Sequence, residues 1–265
     1  MSITGQTVPY RDQDVALTGL LYRDPELGHR PGILLIHGAG GLDEHPRGQA
    51  RRYAELGYTV LACDLFGPGV TGDRDKTIAC LTTLRDDPAM LVRRTQAGLA
   101  ALADFTNPGS NPTGGPGPGS SAGPDPGPGR GRRLAAVGFC FGGMAALMLA
   151  RSGEPLAGVV SMHGSLATTA PAQPGRVRAK VLACHGALDP HVPMADVTAF
   201  AEEMGHAGAD WQVILYGGAQ HGFTHEHAVP GAIPGVAYDA PADARSFEAA
   251  RTFLAEAFAE NQVGQ

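Results

Sequence analysis

Short apolar runs of about five residues alternate along this chain with longer stretches of helical spacing. Gly32 to Ile36 (GILLI) is the first such run, and it ends in His37-Gly38-Ala39-Gly40-Gly41. Pro46 to Leu56 reads as a helix that stops at Gly57. Tyr58 to Leu65, Leu134 to Phe139, Leu156 to Met162, Lys180 to His185 and Trp211 to Tyr216 read as further strands. Pro88 to Phe105, Gly142 to Arg151, Met194 to Met204 and Ala240 to Glu260 read as helices. Strands that are apolar throughout and separated by helices predict an α/β fold with a mostly parallel central sheet and helices on both faces.

One segment breaks the pattern. Thr106 to Gly131 holds nine Gly and seven Pro among 26 residues. That composition does not support a packed core, so a surface insertion is expected there. The strand pattern resumes directly after it, so residues 1–265 are read as one domain carrying an insertion at 106–131.

Length and charge narrow the function classes. With 265 residues and 43% apolar residues, a sizeable core is available. A net charge of −6 speaks against a nucleic-acid partner. No apolar run approaches the roughly 20 residues of a membrane span, and the mixed, polar start from Met1 to Tyr10 does not read as a signal peptide. The four cysteines, at 63, 80, 140 and 184, lack paired metal spacing. Cys63, Cys80 and Cys184 read as small buried hydrophobes in a reducing cytoplasm. The histidines at 37, 163, 185, 191, 225 and 227 do not have the spacing of a zinc site, so neither a metal nor a cofactor is expected.

Candidate chemistry concentrates at Gly138-Phe139-Cys140-Phe141-Gly142-Gly143. A strand leads directly into a helix there, and the form G-x-C-x-G-G is that of a nucleophile elbow. Residues two positions to either side of a nucleophile on so sharp a turn crowd its backbone, which calls for glycine. The turn also sets the thiol at a helix N-terminus, which favours the thiolate. A glycine-rich turn around an inert buried cysteine is the alternative reading. Asp189, in His185-Gly186-Ala187-Leu188-Asp189-Pro190-His191-Val192-Pro193, follows a later strand and is the candidate acid. His221, in Gln220-His221-Gly222-Phe223, follows the last strand and is the candidate base. The order nucleophile, acid, histidine is that of the α/β hydrolases. Two backbone N–H groups are needed for an oxyanion, and position selects those of Ala39 and Phe141.

Together, Phe139-Cys140-Phe141-Gly142-Gly143, Asp189 in its HGxxDPxVP setting and Gln220-His221-Gly222-Phe223 resemble the dienelactone hydrolase (carboxymethylenebutenolidase) family of the α/β-hydrolase superfamily. The run from Ala54 to Gly67 is similar in kind, and the resemblance spans roughly residues 30 to 258. It implies an α/β-hydrolase fold and a Cys140–Asp189–His221 triad, with the Ala39 and Phe141 amides as oxyanion hole. The implied partner is a small ester, lactone or thioester, acted on by a monomer or small homo-oligomer.

The chain also departs from the family. A glutamate that helps deprotonate the family's cysteine is matched here by Gly38, so activation falls to His221, or to Asp43 or Glu44 if the loop folds back. Two family arginines that hold a substrate carboxylate are matched by Gly67-Pro68 and by His225. An anionic dienelactone is therefore disfavoured. His37, Phe66, Arg74 and His225 are the residues expected near the substrate, with His37 alternatively supporting its loop. Two other readings stay open: a non-hydrolytic tailoring enzyme performing cyclisation, elimination or isomerisation, and a non-catalytic binding protein on the same scaffold.

Overall fold

The structure, a computed structural model, describes residues 2–106, 133–229 and 231–260. The expected insertion at 106–131 falls, apart from Thr106, outside the described residues. Among the described residues there are eight strands and six α-helices, grouped in two compact units, Met1–Ala135 and Ala136–Gln265.

The first unit opens with a hairpin of β1 (Thr4–Asp12) and β2 (Val15–Arg23), which the hydrophobic pattern did not predict. In β1 only Val8 and Asp12 are buried, so backbone pairing with β2 holds it, and Pro9 is tolerated on such an edge. β3 (Gly32–Ile36) and β4 (Thr59–Cys63) are parallel and buried at every residue, as continuous apolar runs require. The strand order here is β1-β2-β4-β3, with β2 antiparallel to β4.

Helix α1 (Glu44–Glu55) starts two residues before the expected Pro46, because the Asp43 carboxylate caps it by accepting from His45 N–H. It ends at Glu55, capped by Leu56 and followed by Gly57, whose φ of 90° suits a residue without Cβ. Helix α2 (Arg74–Asp86) was also not predicted, since it buries only Leu84 and offers no apolar stripe. Helix α3 (Pro88–Thr106) lies on β3: a Cβ on Gly32 would meet Leu102 Cδ2 at 3.2 Å and Thr106 Cγ2 at 2.7 Å.

The second unit begins within β5 (Leu134–Phe139), and β5, β6 (Gly158–Met162), β7 (Lys180–Gly186) and β8 (Trp211–Tyr216) run in that order, with β6, β7 and β8 parallel. α4 (Phe141–Ser152), α5 (Met194–Ala207) and α6 (Ala240–Glu260) follow β5, β7 and β8. Gly158 lies under Phe253 and Ala257 of α6, whereas Ser161 meets Gly143 of α4. Positions three apart on a strand point to opposite faces, so α4 and α6 cover the two sides of β6. Arg151 of α4, its side chain 2% exposed, grips Glu203 of α5 and the carbonyl of Leu166.

Candidate active site

Phe139 ends β5 and Phe141 begins α4, so Cys140 makes the whole strand-to-helix turn alone. Its backbone has φ 53° and ψ −117°, a conformation a residue with a Cβ adopts only under strain. The turn is feasible because Gly138 lacks a side chain, since a Cβ there would lie 1.9 Å from Gly142 O. Gly143 is equally constrained: its Cβ would sit 2.6 Å from Ser161 Oγ and 2.9 Å from Gly164 Cα. The Cys140 carbonyl accepts from Gly143 and Met144 N–H, which closes the first turn of α4 and leaves the Phe141 amide at its start.

Asp189 sits in the turn after β7, held by Asp189 N–H to Gly186 O and by Leu188 N–H to Ala219 O. Its side chain has no exposed surface. Oδ1 accepts from the His191 and Val192 N–H groups at 2.8 and 3.2 Å, which leaves Oδ2 for His221 Nδ1 at 2.7 Å. Burial pushes the Asp189 carboxyl up. The bonds from His221 and the two backbone amides outweigh it and hold the group below the usual carboxylate range.

His221 sits in the loop after β8. A short strap pins it there: His221 N–H donates to Gly235 O at 3.0 Å, and Ala237 N–H donates back to His221 O at 3.1 Å. An ionised carboxylate only accepts, so Nδ1 carries the hydrogen toward Asp189. Nε2 then faces Cys140 Sγ at 3.1 Å, within reach of the thiol proton. Burial pulls the imidazole down, but the bonds to Asp189 and Cys140 raise it to about 10. His225, half-buried near His221, is pushed down to about 4, mainly by its desolvation and further by charge on His221. The edges of His163 and His191 lie 5.4 and 5.3 Å from the His221 ring, centroid to centroid.

The other expected site residues fare differently. His37 has no exposed surface: its Nε2 accepts from Leu65 N–H at 3.1 Å, so Nδ1–H donates to Gly38 O at 2.7 Å. Both ring nitrogens are thus committed to the loop. Phe66 is only 4% exposed and packs its ring edge on His37. Arg74 is the exposed first residue of α2. His225 is half-buried near His163. Ala39 lies in the first unit, in the loop after β3. Asp43 caps α1 and folds back on Gly40, while Glu44 starts the helix, exposed.

Cys63 and Cys184 are buried, and burial pushes both thiols up, Cys184 to about 12. Cys80 is only half-buried on α2, so it is not the core residue that its type suggested. Among the described residues, no group of three His, Cys, Asp or Glu side chains is arranged to hold a metal ion. No described helix is long and apolar enough to cross a membrane. Sequence reasoning missed the site role of His163, which the fold sets edge-on to His221 from 58 residues away, and of Thr224, which bonds His163 from three residues past His221. The positive φ of His163 has no signature in the sequence.

Three comparisons bear on what this arrangement is. The profile of the dienelactone hydrolase family matches residues 17–112 and 127–258. The solved structure named m3DLH is 35% identical, with a TM-score of 0.82, and the match covers 97% of this chain and 100% of that one. A dienelactone hydrolase-like promiscuous phosphotriesterase, P91, from metagenomic libraries is 34% identical, also at a TM-score of 0.82, over 97% of this chain and 99% of its own. An uncharacterised protein of Caenorhabditis elegans is 45% identical over 71 residues, which is 27% of this chain and 45% of that protein. The chain thus spans less than half the length of that curated relative. It belongs to the dienelactone hydrolase family and has the α/β-hydrolase fold.

Proposed function

We propose that this member of a hydrolase family cleaves small esters, lactones or thioesters through an acyl-cysteine intermediate on Cys140. One observation carries the reading: Cys140 Sγ, His221 and the buried Asp189 form a continuous hydrogen-bonded chain, with steps of 3.1 and 2.7 Å.

In the proposed reaction, His221 Nε2 takes the Cys140 proton and the thiolate attacks the carbonyl carbon. The Phe141 amide, at the start of α4, donates to the oxyanion, and Ala39 is assigned the second donor on the family's pattern. Losing one such donor raises the barrier by roughly 3 kcal/mol. The tetrahedral intermediate expels the alcohol or thiol as protonated His221 returns its proton to the leaving group. Water, deprotonated by His221, then attacks the thioester, and the thiolate leaves with the proton returned to the pair. Asp189 stays ionised throughout, fixing the tautomer and stabilising the imidazolium. Thiolate leaves a tetrahedral carbon more readily than an amide nitrogen does, which favours activated esters over amides. Neither a metal nor a cofactor takes part in this scheme, and a cytoplasmic monomer or small homo-oligomer is its expected setting.

A second reading adds activated phosphotriesters as accessory substrates. The likeness to a protein named as a promiscuous phosphotriesterase favours it. Attack of the thiolate at phosphorus would form an S–P bond and expel the aryloxide, and water deprotonated by His221 would then release the phosphodiester and restore the thiol.

The test is turnover of p-nitrophenyl acetate and of p-nitrophenyl diethyl phosphate by the wild type, Cys140→Ala and His221→Ala, with intact-mass detection of an adduct. Turnover lost in both variants, with a transient acyl group on Cys140, is expected. Wild-type activity that survives Cys140→Ala would move the nucleophile elsewhere. No turnover and no adduct would favour the tailoring or binding readings.

A further inference from the structure

The turn after β6 contains none of the three residues assigned to the chemistry, yet it is anchored to the segment that carries each. Cys140 N–H donates to Met162 O at 2.9 Å, so the turn begins on the nucleophile's own backbone. Gly164 lies flush on the first turn of α4, where a Cβ would come within 2.8 Å of Gly143 Cα. Between them, His163 N–H donates to Cys184 O at 2.8 Å, in the strand that leads to Asp189. The His163 side chain reaches the third segment: its Nε2 lies 2.8 Å from Thr224 Oγ1, three residues past His221.

Both partners are buried, His163 completely and Thr224 to within 2%. The His163 ring stands edge-on to His221 at 5.4 Å and 65°, and to Phe223 at 5.0 Å and 80°. Its backbone has φ 40°, a region non-glycine residues rarely enter. Two anchored neighbours and a bonded side chain hold it there. Strain of this kind persists only where the surroundings over-determine it, and it clusters at functional sites.

We propose that His163, through its hydrogen bond to Thr224, is a positioning residue that sets the His221 ring against Cys140. The inference rests on the thiol-nucleophile reading above. His163 supplies a flat wall for one edge of His221 and a polar atom that fixes the loop carrying it. A phenylalanine would keep the wall and lose the bond. Without the bond, the His221 loop keeps its strap to Gly235 and Ala237 but loses the contact that sets the ring's tilt. The titratable groups facing His221 are Cys140, Asp189, His163 and His191, with His185 and His225 close enough to feel its charge.

The test measures alkylation of Cys140 by iodoacetamide from pH 4 to 10, read on the Cys140 peptide so that Cys80 does not interfere. It uses the full chain as wild type, Thr224→Val, Thr224→Ser, His163→Phe and the double variant His163→Phe/Thr224→Val, beside p-nitrophenyl acetate turnover and melting temperature. The wild type should show a reactive limb well below the ordinary thiol range, from the Cys140–His221 pair. Thr224→Val and His163→Phe should shift that limb up by about one pH unit and lower kcat about tenfold, with KM within about twofold. Thr224→Ser should behave as the wild type, and the double variant should be no worse than the poorer single.

An unmoved limb in a well-folded Thr224→Val protein would overturn the inference, even if His163→Phe fails to fold. So would losses that multiply in the double variant, or that follow melting temperature equally in Thr224→Ser. A wild type with neither a low-pH limb nor turnover would sink the thiol reading, and the inference with it. A wild-type limb that the variants leave in place would sink the inference alone.

Discussion

His221 Nδ1 lies 2.7 Å from Oδ2 of Asp189, a carboxylate with no exposed surface. The other oxygen of Asp189 already takes two backbone N–H groups, so its charge is fully directed. Asp189→Asn keeps the shape but lets the amide donate, which favours the imidazole tautomer with its hydrogen toward Cys140. We expect kcat on p-nitrophenyl acetate to fall by about 10³- to 10⁴-fold, with KM little changed, as for the same change in a serine protease triad. A fall of less than about tenfold would show that Asp189 does not set the tautomer.

The same pair fixes a pH window. His221 is raised to about 10 in the folded state, so the stability it contributes is complete below its unfolded value of about 6.5 and is lost as pH rises through about 10. Asp189 is lowered, so its contribution is present above its unfolded value of about 3.9 and is lost as pH falls through the folded one. The urea midpoint of the wild type should therefore exceed that of Asp189→Asn most clearly near neutral pH. The gap should narrow both above pH 10 and toward pH 3. A gap constant across that range would contradict the assignment.

Glycines of one sequence can answer a substitution in opposite ways. A Cβ at Gly138 would lie 1.9 Å from the backbone oxygen of Gly142, in a turn that cannot move without dismantling the elbow. Gly138→Ala should destabilise by about 3 kcal/mol or more, or fail to fold. Gly48, in the middle of α1, meets nothing within 4 Å, and Gly48→Ala should stabilise by about 0.5–1 kcal/mol. Urea titrations of the two variants check both signs.

Asp12, its side chain 2% exposed, accepts from Arg93 and Arg94, and Arg94 also donates to Leu65 O. This ties the hairpin to α3 and to the loop that His37 supports. Asp12→Ala would leave the buried Arg94 charge without its partner and should cost about 3–5 kcal/mol. Arg93 is 40% exposed, so Arg93→Ala should cost under about 1 kcal/mol. Equal losses in the two variants would show that the network does not depend on burial.

What the sequence by itself determined follows from short-range rules. The runs GILLI and LAAVGF became β3 and β5 at the expected bounds, because a strand buried on both faces must be apolar throughout. Cys140, Asp189 and His221 stood out because each lies in a turn whose glycines and chain order are local features. The tertiary structure decided what depends on partners far along the chain. β1 has little apolar signal and exists because β2 pairs with it, and α2 buries a single leucine. The bond from Leu65 N–H to His37 and the packing of Phe66 on that ring likewise join segments that no local pattern links. The bond between His163 and Thr224 joins residues 61 apart, and no periodicity or motif encodes it. Periodicity reports which face of an element is buried, whereas only the fold determines which side chains meet there.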